Sequence, residues 1–338
     1  MIAPRIARVG SALIAEHSYF WVGVETVTRP EGGTVTTGEH MYVEYFVPAE
    51  PRHERPIVFV HGGGGQSIAF LGMGDGRPGW LHHALARGYT VYLLDRPGYG
   101  RNPPNPRFIG TEPAPFEALV PLFLVGAQSG RWPGSGQADD PAVAAFMAQQ
   151  RPMRFDTGEY QQEVSRRRGA ELLDRIGAAI VITHSAGGPF GWLLADSRPE
   201  LVSALVSVEG LGPAALPSPL TYDPPASSIA ELGLEPLPDE PGVDWGALAA
   251  VPRLAPPSPP RRLAQLSRVP IAVVTSDDPR FAVLNRDTIA FLRAAGCTVE
   301  DLVLADRGIH GNSHMMSLEE NNGEVLDVIL DWVEGAVA

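Results

Sequence analysis

No lysine occurs anywhere in the chain: all 26 basic residues are arginine. That absence excludes Schiff-base chemistry, a phosphate-cradling loop ending in Lys-Ser/Thr and a kinase-type lysine, each of which needs an ε-ammonium group. Cysteine is almost as scarce. The single Cys297 cannot close an intrachain disulfide, and in its AAGCT setting it reads as a small buried residue at a helix end. Positive charge is in deficit, with 39 acidic residues and a formal net charge of −13. A phosphate backbone would be repelled over most of such a surface, so nucleic acid is not an expected partner. No apolar run is long enough to span a bilayer. The opening MIAPRIARVGSALIAEH is broken by Pro4, Arg5 and Arg8 and lacks a continuous apolar stretch of the secretory kind. This predicts a cytoplasmic protein unless a leader has been removed.

What is present is the profile of a soluble globular chain, 338 residues long, 44% hydrophobic and 19% charged. The length suits two domains or one large α/β domain carrying insertions. Residues 18–47 are rich in aromatic and β-branched side chains around an EGG turn, which predicts antiparallel strands. Short continuous apolar runs then follow at Ile57–Val60, Val91–Leu94, Ala178–Ile182, Val202–Val208, Ile271–Thr275 and Val299–Leu304, the pattern of strands buried on both faces. Helical spacing separates them at Trp80–Arg87, Glu159–Ile176, Ala186–Ser197 and Val283–Ala295, and it recurs at the C-terminus on Val325, Ile329, Trp332 and Val333. Alternation of this kind implies right-handed crossovers and a mostly parallel sheet covered by helices on both faces.

Two proline-rich stretches interrupt the alternation and are far longer than ordinary loops. They divide the chain into an N-terminal part of the core (1–102), a cap-like insertion (103–158), a core segment (159–210), a second insertion (211–268) and a C-terminal part of the core (269–338). The first insertion carries Phe116, Leu119, Leu122, Phe123, Leu124, Phe146 and Met147, too apolar for a solvated linker. It is expected to pack over the active site and to favour a partly apolar ligand.

The chemistry concentrates at strand ends. In Ile180-Val181-Ile182-Thr183-His184-Ser185-Ala186-Gly187-Gly188 a buried strand runs into a serine and then into small residues opening a helix, the layout of a nucleophile elbow. Thr183 departs from the glycine usual at that point but is still short. His61-Gly62-Gly63-Gly64-Gly65 follows the Ile57–Val60 strand, where glycines let backbone N–H groups face a reacting carbonyl. The N–H groups of Gly63 and Ala186 are the expected oxyanion donors. Of the nine histidines, only His310 and His314 lie in the loop after the last strand. His314, at the return of that loop, is the preferred base, with His310 left a structural part. His61 and His184 are read as orienting loops, and His82-His83 lack the spacing of a metal pair. The acid is left between Glu209, after the Val202–Val208 strand, and Asp277 or Asp278, after Ile271–Thr275, with topology favouring the aspartates. Arg166-Arg167-Arg168 reads as a solvated helix face and Asp75-Gly76-Arg77 as a loop ion pair.

Taken together, HGGGG, DRPGYG, THSAG and a late histidine in the order Ser, acid, His resemble the α/β-hydrolase fold over most of the chain. More narrowly, MYVEYFVP, DGRPGW, VSVEG and GIHGNSHMM, followed by NN and DVILDWV, resemble a bacterial serine-esterase subgroup with a glutamate acid after the sixth strand. The resemblance implies Ser185 as nucleophile, Glu209 as acid and His314 as base, with neither metal nor organic cofactor. The expected activity is hydrolysis of a small carboxylic ester through an acyl-enzyme. A lactonase or acyltransferase would use the same groups, and an inactive ligand-binding receptor is the alternative of another class. Nothing in the sequence fixes an oligomeric state.

Overall fold

The computed structural model describes residues 13–73, 75–124, 130–152 and 158–337. Eight strands form the central sheet: β1 (Ile14–Val22), β2 (Met41–Pro48), β3 (Ile57–Val60), β4 (Val91–Asp95), β5 (Ala179–His184), β6 (Val202–Val208), β7 (Ile271–Thr275) and β8 (Val299–Val303). Their spatial order is 1-2-4-3-5-6-7-8. The pairs β1/β2 and β2/β4 are antiparallel and the remaining five are parallel. The innermost strands β3 and β5 are buried at every residue, which is why their sequences read as unbroken apolar runs rather than alternating ones.

Side chains leave each strand alternately to the two faces. Val58, Val60 and Val181 point into one core with Leu172, Phe190, Trp192 and Phe291. Ile57, Phe59, Ile180 and Ile182 point into the other with Trp80, Leu81, Leu326 and Ile329. Helices α5 (Glu159–Ile176), α6 (Gly188–Ser197) and α7 (Pro279–Ala294) cover the first face, and α2 (Trp80–Ala86) and α8 (Asn322–Val337) cover the second; a short α1 (Ile68–Leu71) precedes α2.

Several boundaries differ from the sequence expectation. Strand β5 runs to His184, two residues past the expected Ile182, so Ser185 comes directly off the sheet. Helix α7 starts at Pro279 rather than Val283, because the Asp278 side chain accepts the Arg280 N–H and the proline occupies the first turn. The Arg166–Arg168 run is only partly open to solvent. Arg168 is fully buried against Glu25 and Glu171, Arg167 pairs with Glu25 and Glu39, and Arg166 pairs with Asp196. A run of charges on one helix face looks the same in sequence whether water or carboxylates receive it. The Asp75–Arg77 ion pair does form, at 2.6 Å.

The first insertion contributes α3 (Phe116–Phe123) and α4 (Pro141–Ala148). Their buried residues Leu119, Leu122, Phe123, Val143 and Phe146 make a third apolar cluster with Phe281 of α7 and with Met315 and Leu318 beyond β8. The second insertion is a chain of single helical turns, plus a small ribbon pairing Tyr222–Asp223 with Arg262–Leu263.

Candidate active site

At the carboxyl end of β5 the backbone turns through one 3₁₀ turn, Ser185–Gly187, into α6. Ser185 is held at φ +55°, a conformation costing a non-glycine residue about 1–2 kcal/mol. The turn fits because of what surrounds it. A Cβ on Gly187 would lie 2.7 Å from the His61 carbonyl oxygen and 2.9 Å from that of Val60, so only glycine allows the β3 loop to touch the elbow. Thr183, the departure from the usual glycine, is accommodated by moving the gap into the helix. Its methyl occupies the space above Gly191, where a Cβ would sit 2.6 Å away, and its hydroxyl donates to the Val206 carbonyl.

His314 reaches this serine from the loop after β8. Its Nε2 lies 2.9 Å from Ser185 Oγ and its Nδ1 lies 2.8 Å from Glu209 Oε2. A carboxylate accepts, so Nδ1 carries the proton and the Nε2 lone pair faces the Ser185 hydroxyl. Glu209 closes β6 at φ +44°, and its other oxygen accepts the Ser276 N–H at 2.9 Å. Burial pushes the His314 imidazole down to about 3 and holds the Glu209 carboxyl above its ordinary value. The resting imidazole is therefore neutral and free to take a proton. Phe281 stacks on it with centroids 3.8 Å apart and planes 5° off parallel, and Phe123 of the first insertion lies 5.8 Å away.

The other candidates lie elsewhere. Asp278 caps α7 and binds Arg280 at 2.6 Å, and Asp277 accepts the Gly311 N–H at 2.7 Å. The His310 ring is largely exposed, 4.0 Å from Asp277. None of the three joins the Ser185–His314–Glu209 chain. His184 donates from Nε2 to the His314 carbonyl at 2.8 Å, and burial lowers it to about 3. Among the described residues, the Gly63 N–H has no protein acceptor, and the Ala186 N–H lies in the first turn of its helix, where no intrahelical carbonyl can reach it. Ser185, His314, Gly63 and Ala186 all line one cavity of about 210 Å³ whose remaining wall is mostly apolar. Leu122 and Phe123 enter it from the first insertion, and Leu216, Leu248 and Val251 enter from the second.

Residues 55–232 match the family described as alpha/beta hydrolase fold. The chain belongs to the α/β-hydrolase family. A probable secreted lipase, phiG, from Fungal sp. (strain ATCC 74256) is 34% identical across 94% of this chain and 89% of its own length. A solved structure of a novel bacterial esterase superposes with a TM-score of 0.68 at 25% identity, covering 98% of each chain. The fungal relative is named as secreted. No helix among the described residues is long and apolar enough to cross a membrane.

This α/β hydrolase also contains supports that sequence reasoning missed. Glu319 is fully buried and accepts from the Ser313 N–H, the Ser313 hydroxyl and the Asn312 amide. Asn321 closes the ring on Asn312. Burial raises the Glu319 carboxyl to about 7, against the pull of the Ser313 and Asn312 donors. This cage fixes the two residues before His314. The signal was there: an acid and an asparagine shortly after GNSH, in a stretch that must turn without a strand to hold it.

Proposed function

We propose that this α/β hydrolase is a serine carboxylic ester hydrolase with Ser185 as nucleophile, His314 as general base and Glu209 as the supporting acid. The observation that carries the reading is the hydrogen-bonded chain from Ser185 Oγ through His314 to Glu209, opening onto an apolar cavity. Ser185 Oγ attacks the ester carbonyl while His314 Nε2 takes its proton. Glu209 holds Nδ1–H and offsets the charge on the imidazolium. The Gly63 and Ala186 N–H groups receive the oxyanion, an interaction of about 3 kcal/mol per donor. His314 returns the proton to the leaving alcohol, and water then attacks the acyl-enzyme with His314 again as base. Phe281 and Phe123 keep solvent from the imidazole faces and favour the ring most when it is charged.

The substrate class follows from the cavity: a small ester with at least one apolar arm. The first insertion acts as a cap through its described residues Leu122 and Phe123, which line the same cavity as Ser185. The esterase and lipase names of the relatives agree with this chemistry. An inactive receptor would need one of the three groups missing or misplaced. Labelling with a fluorophosphonate probe followed by peptide mass spectrometry tests the reading. Modification at Ser185 that disappears in His314→Ala is expected; folded wild-type protein that stays unlabelled would overturn it.

A further inference from the structure

Arg96, in the loop after β4, is a cation without a countercharge in the wall of the cavity. Other well-buried arginines hold carboxylates: Arg168 holds Glu171, Arg280 holds Asp278 and Arg253 holds Asp287. Arg96 has no carboxylate within reach among the described residues. The neighbouring Asp95 is already engaged by the N–H groups of Ser67 and Arg101 and by the Arg101 guanidinium. Instead Arg96 donates to two carbonyls, from Nη2 to Gly62 at 2.7 Å and from Nη1 to Ala186 at 3.2 Å. Its Nε is buried without a partner, and the Tyr99 ring lies 4.7 Å from its carbon centre. Burial lowers its pKa, the direction expected of an uncompensated cation.

The Gly62 carbonyl receives a second donor. The Arg96 backbone N–H donates to His61 Nε2 at 3.1 Å, which places the His61 proton on Nδ1, and Nδ1 lies 2.9 Å from the same Gly62 oxygen. Burial keeps this ring neutral. Carbonyl 62 and the N–H of Gly63 belong to one planar peptide. Two donors on the oxygen, one of them cationic, fix the plane of that peptide and draw electron density away from its N–H.

We propose that Arg96 is a positioning residue, acting through the Gly62 carbonyl to orient and polarise the Gly63 N–H, and that its unpaired charge favours the anionic tetrahedral intermediate over the neutral ester. This rests on the assignment of Ser185 as nucleophile and Gly63 as oxyanion donor. A buried charge left unpaired in the resting protein gains its partner only when negative charge develops on the substrate, which is the differential interaction that speeds a reaction.

The test compares wild type with Arg96→Met and Arg96→Lys on a p-nitrophenyl ester, with thermal melts as a check of folding. Arg96→Met is expected to lose about 10- to 100-fold in kcat with KM within threefold. Arg96→Lys keeps the charge but lacks the planar fork whose two nitrogens each take one carbonyl, and falls between. Affinity for an alkyl boronic acid, which forms an anionic tetrahedral adduct with serine, should weaken in parallel with kcat/KM. Binding of a neutral amide analogue of the same substrate should not change. Boronate affinity and kcat within threefold of wild type in a folded variant would overturn the proposal; if Arg96→Met does not fold, the same criterion applies to Arg96→Lys. Fluorophosphonate labelling of wild-type Ser185 separates the two failures, because an unlabelled serine refutes the underlying assignment and a labelled one leaves the result to Arg96 alone.

Discussion

Replacing Glu209 by glutamine removes one charge and leaves the shape almost unchanged. In the resting protein the effect is small, because Glu209 and His314 are both fully buried and the imidazole is neutral. The loss comes when His314 takes the serine proton. A positive charge then forms 2.8 Å from the position that held a carboxylate, with no water to replace it. Leaving a buried charge without its partner costs about 3–5 kcal/mol, which at 1.36 kcal/mol per decade is a fall of roughly 10²- to 10⁴-fold in kcat. The glutamine amide can also donate to Nδ1, which drives the ring proton to Nε2 and removes the lone pair that the serine needs. KM should hardly move, since Glu209 is sealed behind the histidine. The control is Asp278→Asn, which removes the charge from the Arg280 ion pair while its amide oxygen can still cap α7. It should lower the melting temperature while kcat stays within about tenfold of wild type. Steady-state kinetics and thermal melts on the two variants decide the matter. If Glu209→Gln stays within tenfold while Asp278→Asn collapses, the acid belongs after β7 and the argument from hydrogen-bond geometry fails.

Gly191→Ala should destabilise the protein by about 1–3 kcal/mol through overpacking against Thr183. Thr183→Ala in the same chain should recover part of that loss, and a coupling energy of zero in urea melts would show that the two do not share the space. His184, held near 3 when folded against about 6.5 in an unfolded chain, binds a proton only on unfolding across that interval. Stability should therefore fall as pH drops below about 6.5, by about 2 kcal/mol at pH 5, and His184→Gln should shrink the difference between pH 7 and pH 5 by that amount; an unchanged difference would count against it. Cys297, buried with its thiol pushed up to about 12, should resist a thiol reagent at pH 8 until the chain is unfolded, and rapid reaction of native protein would contradict the placement.

The parallel core was legible because residues buried on both faces leave a continuous apolar trace, as Ile57–Val60 and Val202–Val208 do. The serine and histidine proposed for the site stood out because strand ends and small residues mark them. The acid was not separable on those grounds, since VSVEG and TSDDP both place carboxylates at the same edge of the sheet. Its assignment came from the resemblance, and the Nδ1 contact of His314 agrees with it. Arg168 shows the opposite limit. Its burial depends on Glu25 and Glu171, one of them 143 positions away in the chain, and no local pattern carries that information. Arg96 went unread because its hydrogen-bond partners are backbone carbonyls, which every sequence contains, and Glu319 because a short polar loop does not show in sequence which of its side chains turn inward.

Phe123 belongs to the first insertion, yet its ring lies beside the imidazole, and its neighbours Leu122 and Phe146 share one apolar cluster with Phe281, Met315 and Leu318. Transplanting a different insertion between residues 103 and 158 would therefore not exchange a lid above finished machinery. It would strip one flank from the ring proposed as the general base, and a chimera would have to supply an equivalent aromatic at that position. The second insertion reaches the same cavity through Leu216 and Val251, and among the described residues none of its rings stacks on His314. Re-cutting substrate range is thus a task for that segment, where side chains can be traded while the proposed proton relay keeps its walls.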